Sequence, residues 1–430
     1  MKNDVNNETH RDVATLDEAA RNILRSNDRG GYTVPTEGLY PYQWNWDSVF
    51  AAWGFAQFDV DRAWTEIETL LASQWPSGMV PHILFHQVDA GYFPGPDVWD
   101  AGGKGPVQSS GITQPPIAAS FVRRIFDARP SDRARALFPK LKAWHRWFMQ
   151  WRCDQGAIFI THPWESGRDN AADWDSAMQA IDPVGVGTYT RRDTSHVDPS
   201  MRPTKEDYDR YVWLVQRGAR LGWDDSALAK NQPFAVADPS MTLILLRANR
   251  DLAALADAFG QDRREIDAWT AQLEAGADRL RNPKTGVFDS INLLTGQHAG
   301  TVSSASFLCW YAGLQSDVML AELAAAFAQA KYPVPSLKVG SDEFDARRYW
   351  RGPTWAIINT LIGLGLEDAG HRAQAAELRR RTAEMITQQG FAEYHNPLDG
   401  APGGGASFTW TAAIWLAWAS PNAQQNAGEH

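Results

Sequence analysis

The sequence predicts an all-α fold in which an inner ring of apolar helices is backed by an outer ring of amphipathic helices, an α/α toroid. Helical periodicity recurs along the whole chain of 430 residues, whereas runs with the alternation of a β-strand are few. The helices also come in pairs, in which one member is rich in small and aromatic residues and the next is charged on one side. If the amphipathic helices pack around the apolar ones, the apolar helices are buried on all sides and the charged faces of the amphipathic helices stay in water.

The individual helices are recognised from spacing and from their ends. The large apolar residues from Leu137 to Trp151 are spaced 4, 3, 4 and 3, which is one face of a helix. Asp238 and Pro239 begin another helix, since a carboxylate caps it and proline fits the first helical position, and Gly260 ends it. These signals predict about thirteen helices, at residues 14–25, 46–57, 60–74, 113–127, 137–151, 205–221, 239–259, 262–280, 303–312, 316–330, 353–366, 371–388 and 407–418.

The domain organisation follows from the absence of a linker. Residues 353–366 are almost wholly apolar and residues 371–388 are charged on one side, as an inner and an outer helix should be. No stretch rich in Pro or Ser divides the chain. We therefore expect one domain over residues 13–420, between a disordered N-terminal segment, residues 1–12, and a disordered C-terminal tail, residues 421–430.

Charge and cysteine content exclude several classes of protein. Lys and Arg number 41 against 51 Asp and Glu, so the net charge is −10, and no basic cluster is present. Nucleic acids and anionic membranes need a cationic surface, so neither is an expected partner. Cys153 and Cys309 cannot form a disulfide framework or a four-thiolate zinc site. No signal peptide or membrane-spanning apolar run is visible, and we expect a cytoplasmic protein.

Five segments combine aromatic residues with carboxylates and amides. Trp is unusually frequent, with 20 residues against 18 Phe and 11 Tyr. Aromatic faces stack on sugar rings, while Asp, Glu, Asn and Gln bind hydroxyl groups, so this combination indicates a carbohydrate site. Two long stretches poor in helical periodicity, residues 75–112 and 160–204, are expected to be active-site loops. The five segments are residues 40–47, 92–99, 164–175, 349–355 and 391–410.

Hydrolysis of a glycosidic bond needs two carboxyl groups on opposite sides of that bond. The candidates, each in a loop at a helix edge, are Asp47, Glu165, Asp169, Asp173 and Glu393. Spacing alone does not select a pair among them, because a lone Asp in a loop also serves as a turn or cap residue.

Several sequence blocks together resemble glycoside hydrolase family 63. WESGRDN, YWRGPTWAIIN and EYHNPLDG followed by FTWTAA occur in the family's order. NDRGGYTVPTEGLYPYQWNWDS, GMVPHILFH and GYFPGPDVW are similar to a bacterial branch that hydrolyses glucosylglycerate or mannosylglycerate. The likeness runs from Arg21 to Trp418. It implies an (α/α)6 toroid and an inverting mechanism.

The resemblance also implies the roles of the catalytic pair. The Asp of the W-E-S-G-x-D-N block is the family's general acid and falls on Asp169, and the Glu of the E-Y-x-N-P block is the general base and falls on Glu393. The acid block departs from many members after Asn170, where Ala171 and Ala172 replace Ser-Pro. Asp169 must be protonated at neutral pH, so we expect burial to raise its pKa, while Glu393 must stay ionised and hold a water.

Substrate contacts are implied in the same way. The resemblance implies five contacts to the sugar in the −1 subsite, the hexose whose glycosidic bond is cleaved: Trp46, Asp47, Trp164, Trp350 and Trp355. A glycerate carboxylate needs a cation, for which Arg191, Arg192 and Arg202 are candidates. The resemblance favours Arg202, with Tyr208, Tyr40, Tyr92, Gln114 and Tyr349 as further contacts on the glycerate side.

His82 and His86 are spaced like metal ligands on a helix, but no third ligand block accompanies them, and Pro81 favours a short extended stretch. We expect His82 to bind a substrate hydroxyl, and we expect no metal and no cofactor.

The sequence therefore favours an inverting α-glycosidase that acts on glucosylglycerate, a small sugar with a carboxylate aglycone. Mannosylglycerate is the first alternative, and another α-glucosidase or trehalase-like disaccharide hydrolase is the second. A sugar epimerase on the same toroid is a rival, because His162 and His395 lie near the proposed catalytic carboxylates and could move protons. A homo-oligomer is left open.

Overall fold

The computed structural model describes residues 12–423, and most of them are helical. The predicted disordered N-terminal segment lies outside the described residues except for Asp12, and residues 424–430 of the predicted C-terminal tail also lie outside them. The α-helices are α1 (Val13–Asn27), α2 (Asn45–Phe55), α3 (Val60–Ala72), α4 (Pro96–Trp99), α5 (Ala118–Ala128), α6 (Asp132–Trp151), α7 (Asp175–Gln179), α8 (Asp193–His196), α9 (Lys205–Arg220), α10 (Asp225–Lys230), α11 (Pro239–Phe259), α12 (Arg264–Arg279), α13 (Asp317–Gln329), α14 (Ala356–Asp368), α15 (Arg372–Gln389) and α16 (Thr409–Ile414).

Short 3-10 and π segments and strands complete the chain. The 3-10 helices cover Pro163–Ser166, Ala172–Trp174, Pro199–Met201 and Ser304–Cys309, and a π-helix covers Trp415–Ala419. The strands are β1 (Gln43–Trp44), β2 (Ile83–Leu84), β3 (Cys153–Asp154), β4 (Ala157–Ile160), β5 (Val236–Ala237), β6 (Ile291–Asn292), β7 (Gln297–His298), β8 (Tyr394–His395) and β9 (Pro402–Gly403). They pair antiparallel as β1 with β2, as a sheet in the order β3-β4-β5-β6-β7, and as β8 with β9.

The helices close into an inner and an outer ring. In the inner ring, α2 contacts α5, followed by α11, the 3-10 helix Ser304–Cys309, α14 and α16, and α16 returns to α2. An outer helix packs behind each member: α3, α6, α12, α13, α15 and α1, in the same order. The predicted (α/α)6 toroid is confirmed.

Burial explains which helix takes which ring. Every residue of α2 is buried, and so are residues 356–366 of α14, because inner helices are covered on all sides. The outer helix α15 buries one stripe, Ala375, Leu378, Thr382, Met385 and Ile386, and exposes charged residues on the opposite side. In each pair recognised in the sequence, the apolar helix thus belongs to the inner ring and the amphipathic helix to the outer ring.

Some predicted helices differ locally from the structure; the helix expected at 407–418, for example, is α16 followed by the π-helix Trp415–Ala419. The helix expected at 113–127 begins at Ala118, because Pro115 and Pro116 disfavour helical geometry in the residues before them. The helix expected at 303–312 is the 3-10 helix Ser304–Cys309, in which Ser306 Oγ donates outward to the Phe288 carbonyl at 2.6 Å. None of these differences alters the order of the ring.

No helix among residues 12–423 is long and apolar enough to span a membrane.

Asp17 joins the first outer helix to the end of the toroid. It is buried in α1, and its Oδ1 accepts hydrogen bonds from Trp415 Nε1 at 2.7 Å and Ser420 Oγ at 2.9 Å. Its Oδ2 accepts one from Asn422 Nδ2 at 2.8 Å, so Asn422, which belongs to the predicted tail, contacts α1.

We expect Asp17→Ala to lower the free energy of unfolding by about 2–4 kcal/mol, because it leaves the buried Trp415 and Ser420 donors without an acceptor. Urea unfolding followed by tryptophan fluorescence measures the change. Glu18→Ala is the matched control, since Glu18 sits on the same helix but is exposed and, within residues 12–423, pairs with Arg21 and Arg25 at the surface. Equal losses in the two variants would contradict a closing role for Asp17.

Candidate active site

A cavity at one end of the toroid gathers most of the predicted site residues. Its volume is about 870 Å³, including the part open to solvent. Its lining comes from the segments that precede or begin inner helices, such as Asp47 in the first turn of α2, and from the two long loops. The predicted residues that line it are Tyr40, Trp46, Asp47, His82, Tyr92, Gln114, Trp164, Asp169, Arg202, Tyr208, Tyr349 and Glu393.

Hydrogen-bond partners separate structural carboxylates from those that face the cavity. Glu165 lies outside the cavity, where its Oε2 accepts the backbone N–H of Thr161 at 2.7 Å and its Oε1 accepts Arg152 Nη2 at 3.3 Å. Asp173 is likewise engaged by Ser303 Oγ at 2.9 Å and by a buried arginine. Asp47, Asp169 and Glu393 are the sequence candidates that remain in the cavity.

Glu393 is held by three donors. Its Oε1 accepts the phenol hydroxyls of Tyr349 at 3.0 Å and Tyr40 at 3.1 Å, and its Oε2 accepts the backbone N–H of Gly405 at 2.9 Å. Burial raises the pKa of Glu393 above its ordinary value, while the nearby Arg202 guanidinium and these donors oppose the increase. The arrangement fixes the orientation of the carboxylate.

The turn after β9 leaves no room for another side chain beside Glu393. Gly404 has a φ of +72°, and a Cβ on it would overlap Glu393 Oε2. A glycine is therefore required here by both backbone conformation and space.

Asp169 lies in a different environment from Glu393. It lines the cavity, and no other side chain among residues 12–423 donates a hydrogen bond to its carboxyl group. Burial raises the pKa of Asp169 to about 7, the charge of Glu393 adds to this, and Arg202 opposes it. Asp169 can thus carry a proton near neutral pH, which a proton donor in this cavity requires.

Asp47 is the third carboxyl of the cavity. Burial, followed by the charges of Glu393 and Asp169, raises its pKa well above the ordinary value. A protonated or hydrogen-bonded carboxyl at this position is suited to binding hydroxyl groups.

Trp350 and Trp355, which were predicted to contact a sugar, lie behind the residues that line the cavity. Both are fully buried outside the cavity lining and stack on each other at a centroid distance of 3.8 Å and an angle of 4°. Trp350 lies against Trp46 at 6.4 Å, and Trp355 lies against Trp410 at 5.8 Å. They support the aromatic wall from behind.

The wall also contains aromatic residues that were not among the predicted contacts. Trp44, Phe408 and Trp410 line the cavity, and all three belong to the aromatic-rich segments that indicated a carbohydrate site. Their presence could have been inferred from those segments, but not which of their side chains turn inward.

Arg202 is the best placed of the three candidate cations. Its Nη2 donates to Tyr40 Oη at 2.6 Å and its Nε to Asp193 Oδ2 at 3.0 Å, while its buried Nη1 has no partner among the described residues. Its guanidinium also lies 4.2 Å from the centroid of the Tyr349 ring. Arg202 therefore combines a fixed position with unused donor capacity.

The other two arginines are engaged elsewhere. Arg191 donates to Asp193 at 2.7 and 3.0 Å and to the Pro203 carbonyl at 2.8 Å. Arg192 lines the cavity but forms an ion pair with Asp89, with Nη1 at 2.8 Å from Oδ2. Asp193, which holds both Arg191 and Arg202, carried no signal in the sequence.

His82 is a neutral, buried ring of the wall. Burial lowers its pKa well below the ordinary value, its Nδ1 has no partner among the described residues, and its ring is stacked with Trp164 at 6.2 Å. His86 lies two residues beyond strand β2 and instead contacts Gln43 Oε1 at 2.7 Å. No group of three or more His, Cys, Asp or Glu within residues 12–423 could hold a metal ion.

The histidines of the epimerase hypothesis do not face the cavity. His162 Nε2 contacts the Tyr211 carbonyl at 3.1 Å and its Nδ1 accepts the Trp164 N–H at 3.0 Å. His395 Nε2 contacts the Gly390 carbonyl at 3.3 Å. Neither ring is part of the cavity lining.

Comparison with known proteins gives a consistent picture. Residues 40–411 match the family model described as mannosylglycerate hydrolase MGH1-like glycoside hydrolase domain. Mannosylglycerate hydrolase MGH1 of Selaginella moellendorffii is 42% identical over 414 residues, 93% of this chain and 85% of that protein. Glucosylglycerate hydrolase of Mycolicibacterium hassiacum is 34% identical over 429 residues, 92% of this chain and 96% of that protein.

A solved structure matches as well. The glycoside hydrolase family 63 mannosylglycerate hydrolase of Thermus thermophilus, in complex with Tris and D-glycerate, superposes with a TM-score of 0.90 at 41% identity. The match covers 93% of this chain and 99% of that one.

Proposed function

The chain belongs to the MGH1-like glycoside hydrolases of family 63 and is a glycosidase, and from this premise we propose that it hydrolyses an α-linked hexosylglycerate to hexose and glycerate with inversion. One observation supports the proposal: two buried carboxyl groups, Asp169 and Glu393, line one cavity together with the cation Arg202. The names of the relatives supply the substrate class.

The proposed mechanism is a single displacement. Asp169 gives its proton to the glycosidic oxygen as the bond between that oxygen and the anomeric carbon breaks. Glu393 takes a proton from a water whose oxygen forms the new bond to the anomeric carbon from the opposite side. The products are a hexose of inverted configuration and glycerate with a free hydroxyl group, and no reactant other than water is consumed.

In this proposal Arg202 binds the carboxylate of the aglycone. Hydrogen bonds between charged groups are stronger than neutral ones, and Nη1 of Arg202 has no partner among the described residues to lose when a ligand arrives. Tyr92, Gln114 and Tyr208 line the same cavity and supply neutral contacts.

The proposal also names the hexose of the substrate. The sequence motifs favour glucosylglycerate, but the mannosylglycerate hydrolase of Selaginella is 42% identical and the glucosylglycerate hydrolase of Mycolicibacterium 34%. We therefore put mannosylglycerate first and glucosylglycerate second. The two sugars differ in the configuration of one hydroxyl group, and a hydrogen bond to that group decides how strongly an enzyme discriminates between them.

The test is a substrate panel at neutral pH: mannosylglycerate, glucosylglycerate, trehalose, kojibiose and nigerose, with products identified by NMR. We expect glycerate and free hexose from the first two and slower turnover of the three disaccharides. Turnover of a disaccharide with no release of glycerate would overturn the substrate class, and an isomerised sugar would restore the epimerase hypothesis.

The two carboxyl groups predict a bell-shaped dependence of kcat/KM on pH. Asp169 must be protonated, so activity falls above its pKa of about 7, and Glu393 must be ionised, so activity falls again at acid pH. Because the pKa of Glu393 is raised, the acidic limb lies above the ordinary glutamate value of about 4.3.

A glycosyl fluoride provides the control for this profile, since fluoride leaves without a proton. We expect the basic limb to disappear with the fluoride while the acidic limb stays. An unchanged basic limb with both substrates would show that the limb does not report the general acid.

A further inference from the structure

Arg168 is a buried cation that the proposed chemistry does not use. It immediately precedes Asp169, is 1% exposed, and lies outside the cavity lining. Burying a guanidinium is costly unless it is fully paired, so its surroundings must compensate for the lost hydration.

Its partners come from three separate parts of the toroid. Nη2 donates to Asp238 Oδ1 at 2.8 Å, where Asp238 is the N-cap of α11, and to Asp173 Oδ1 at 3.3 Å. Nη1 donates to Ser303 Oγ at 3.3 Å, just before the 3-10 helix Ser304–Cys309, and Nε to Ser240 Oγ at 3.3 Å. The guanidinium thus ties the loop of residues 160–175 to two neighbouring members of the inner ring.

Asp169 has no side-chain partner of its own among the described residues, so its position depends on the backbone. Its carbonyl accepts Tyr211 Oη at 2.9 Å and Trp174 Nε1 at 3.3 Å. On the N-terminal side, Gly167 has a φ of +68°, and a Cβ there would lie 2.5 Å from Cζ2 of Trp46. Arg168 is therefore the side chain that anchors the loop directly before the acid.

We infer that Arg168 is a positioning residue for the general acid, holding the backbone of Asp169 so that its carboxyl reaches the glycosidic oxygen. This inference rests on the proposed role of Asp169. A lysine at this position would keep the charge but could not reach Asp238, Asp173, Ser303 and Ser240 together, because it has a single point of attachment instead of a planar fork.

The experiment compares two substrates on the same enzyme sample. Mannosylglycerate needs its leaving oxygen protonated, and α-mannosyl fluoride does not, so the ratio of the two kcat/KM values measures assistance by the acid. This ratio is independent of the fraction of folded protein. The variants are Arg168→Lys, the milder Ser303→Ala, and Asp169→Asn as the reference for complete loss of the acid.

We expect Asp169→Asn to lower the ratio by about 100-fold or more, Arg168→Lys by about 10-fold or more, and Ser303→Ala in the same direction by less. Arg152→Lys is the matched control, because Arg152 is equally buried and paired with Glu165 in the same loop cluster, outside the cavity. It should lower both activities in proportion and leave the ratio unchanged.

Arg168→Lys combined with Asp169→Asn should show the ratio of Asp169→Asn alone, since an absent acid cannot be mispositioned. A wild-type ratio in both Arg168→Lys and Ser303→Ala, beside a collapsed ratio in Asp169→Asn, would overturn the inference and leave the proposed function intact. An unchanged ratio in Asp169→Asn would instead remove Asp169 as the acid, and the inference with it.

Discussion

We expect Glu393→Gln to lower kcat for a hexosylglycerate on the order of 1,000-fold, because the amide cannot accept the proton of the attacking water. The substitution keeps the size of the side chain. Its oxygen can accept the Gly405 N–H, while its nitrogen faces the phenol oxygens of Tyr40 and Tyr349, whose own hydroxyls no longer have Glu393 Oε1 as an acceptor. Because glutamine is about the size of glutamate, the loss of kcat reflects the missing base and not an empty space left by the substitution.

Initial rates on both hexosylglycerates and on the matching glycosyl fluoride measure this effect. The rate of hydrolysis of the glycosyl fluoride should fall to a similar extent, because this substrate also needs an activated water. Glu165→Gln is the control, since Glu165 is equally buried but bound to Thr161 and Arg152 outside the cavity. Activity of Glu393→Gln within about 10-fold of wild type would contradict the assignment of the general base.

Arg202→Met should reduce kcat/KM for a hexosylglycerate about 10- to 100-fold more than for the glycosyl fluoride. The selective part comes from the lost charge-assisted bond to the glycerate carboxylate. A smaller loss should affect both substrates, because Arg202 also donates to Tyr40 and opposes the rise in the pKa of Glu393. The acidic limb of the pH profile should accordingly move to higher pH.

Arg192→Met distinguishes the rival cation. Arg192 lines the cavity, but its guanidinium pairs with Asp89, so we expect only a modest and unselective loss. If Arg192→Met were selective against hexosylglycerates and Arg202→Met were not, the carboxylate would be read by Arg192, and Arg202 would serve the catalytic base alone.

The fold could be predicted from the sequence because its helices obey local rules. The all-apolar α14 and the one-sided α15 differ in the sequence in the same way as they differ in burial. The helix boundaries were less accurate where a local competitor intervenes, as Pro115 does before α5. Ring closure needs contacts between α16 and α2, more than 350 residues apart in sequence, and only the toroid as a whole explains them.

The site was predictable where a motif fixes both residue type and side-chain direction. Tyr349, Trp350 and Trp355 belong to one block, yet only Tyr349 lines the cavity. The backbone at Trp350 has a φ of 58°, which is uncommon for a residue other than glycine. The Trp350 side chain stacks on Trp355 instead of lining the cavity as Tyr349 does. Sequence spacing carries no record of such a turn.

The supporting charges were not predictable at all. Asp193 matters because Arg191 and Arg202 meet on it, and Arg168 matters because α11 and the segment before the 3-10 helix Ser304–Cys309 converge on it. These partners are brought together by tertiary packing and not by any spacing in the sequence.

The most direct test of the account is the configuration of the hexose at the moment of release. Proton NMR at the start of mannosylglycerate hydrolysis, with enough enzyme to outrun mutarotation, resolves the two anomers. Direct attack by the water activated by Glu393 predicts β-mannose first, together with an equal amount of glycerate. Initial release of α-mannose would contradict the inverting roles of Asp169 and Glu393.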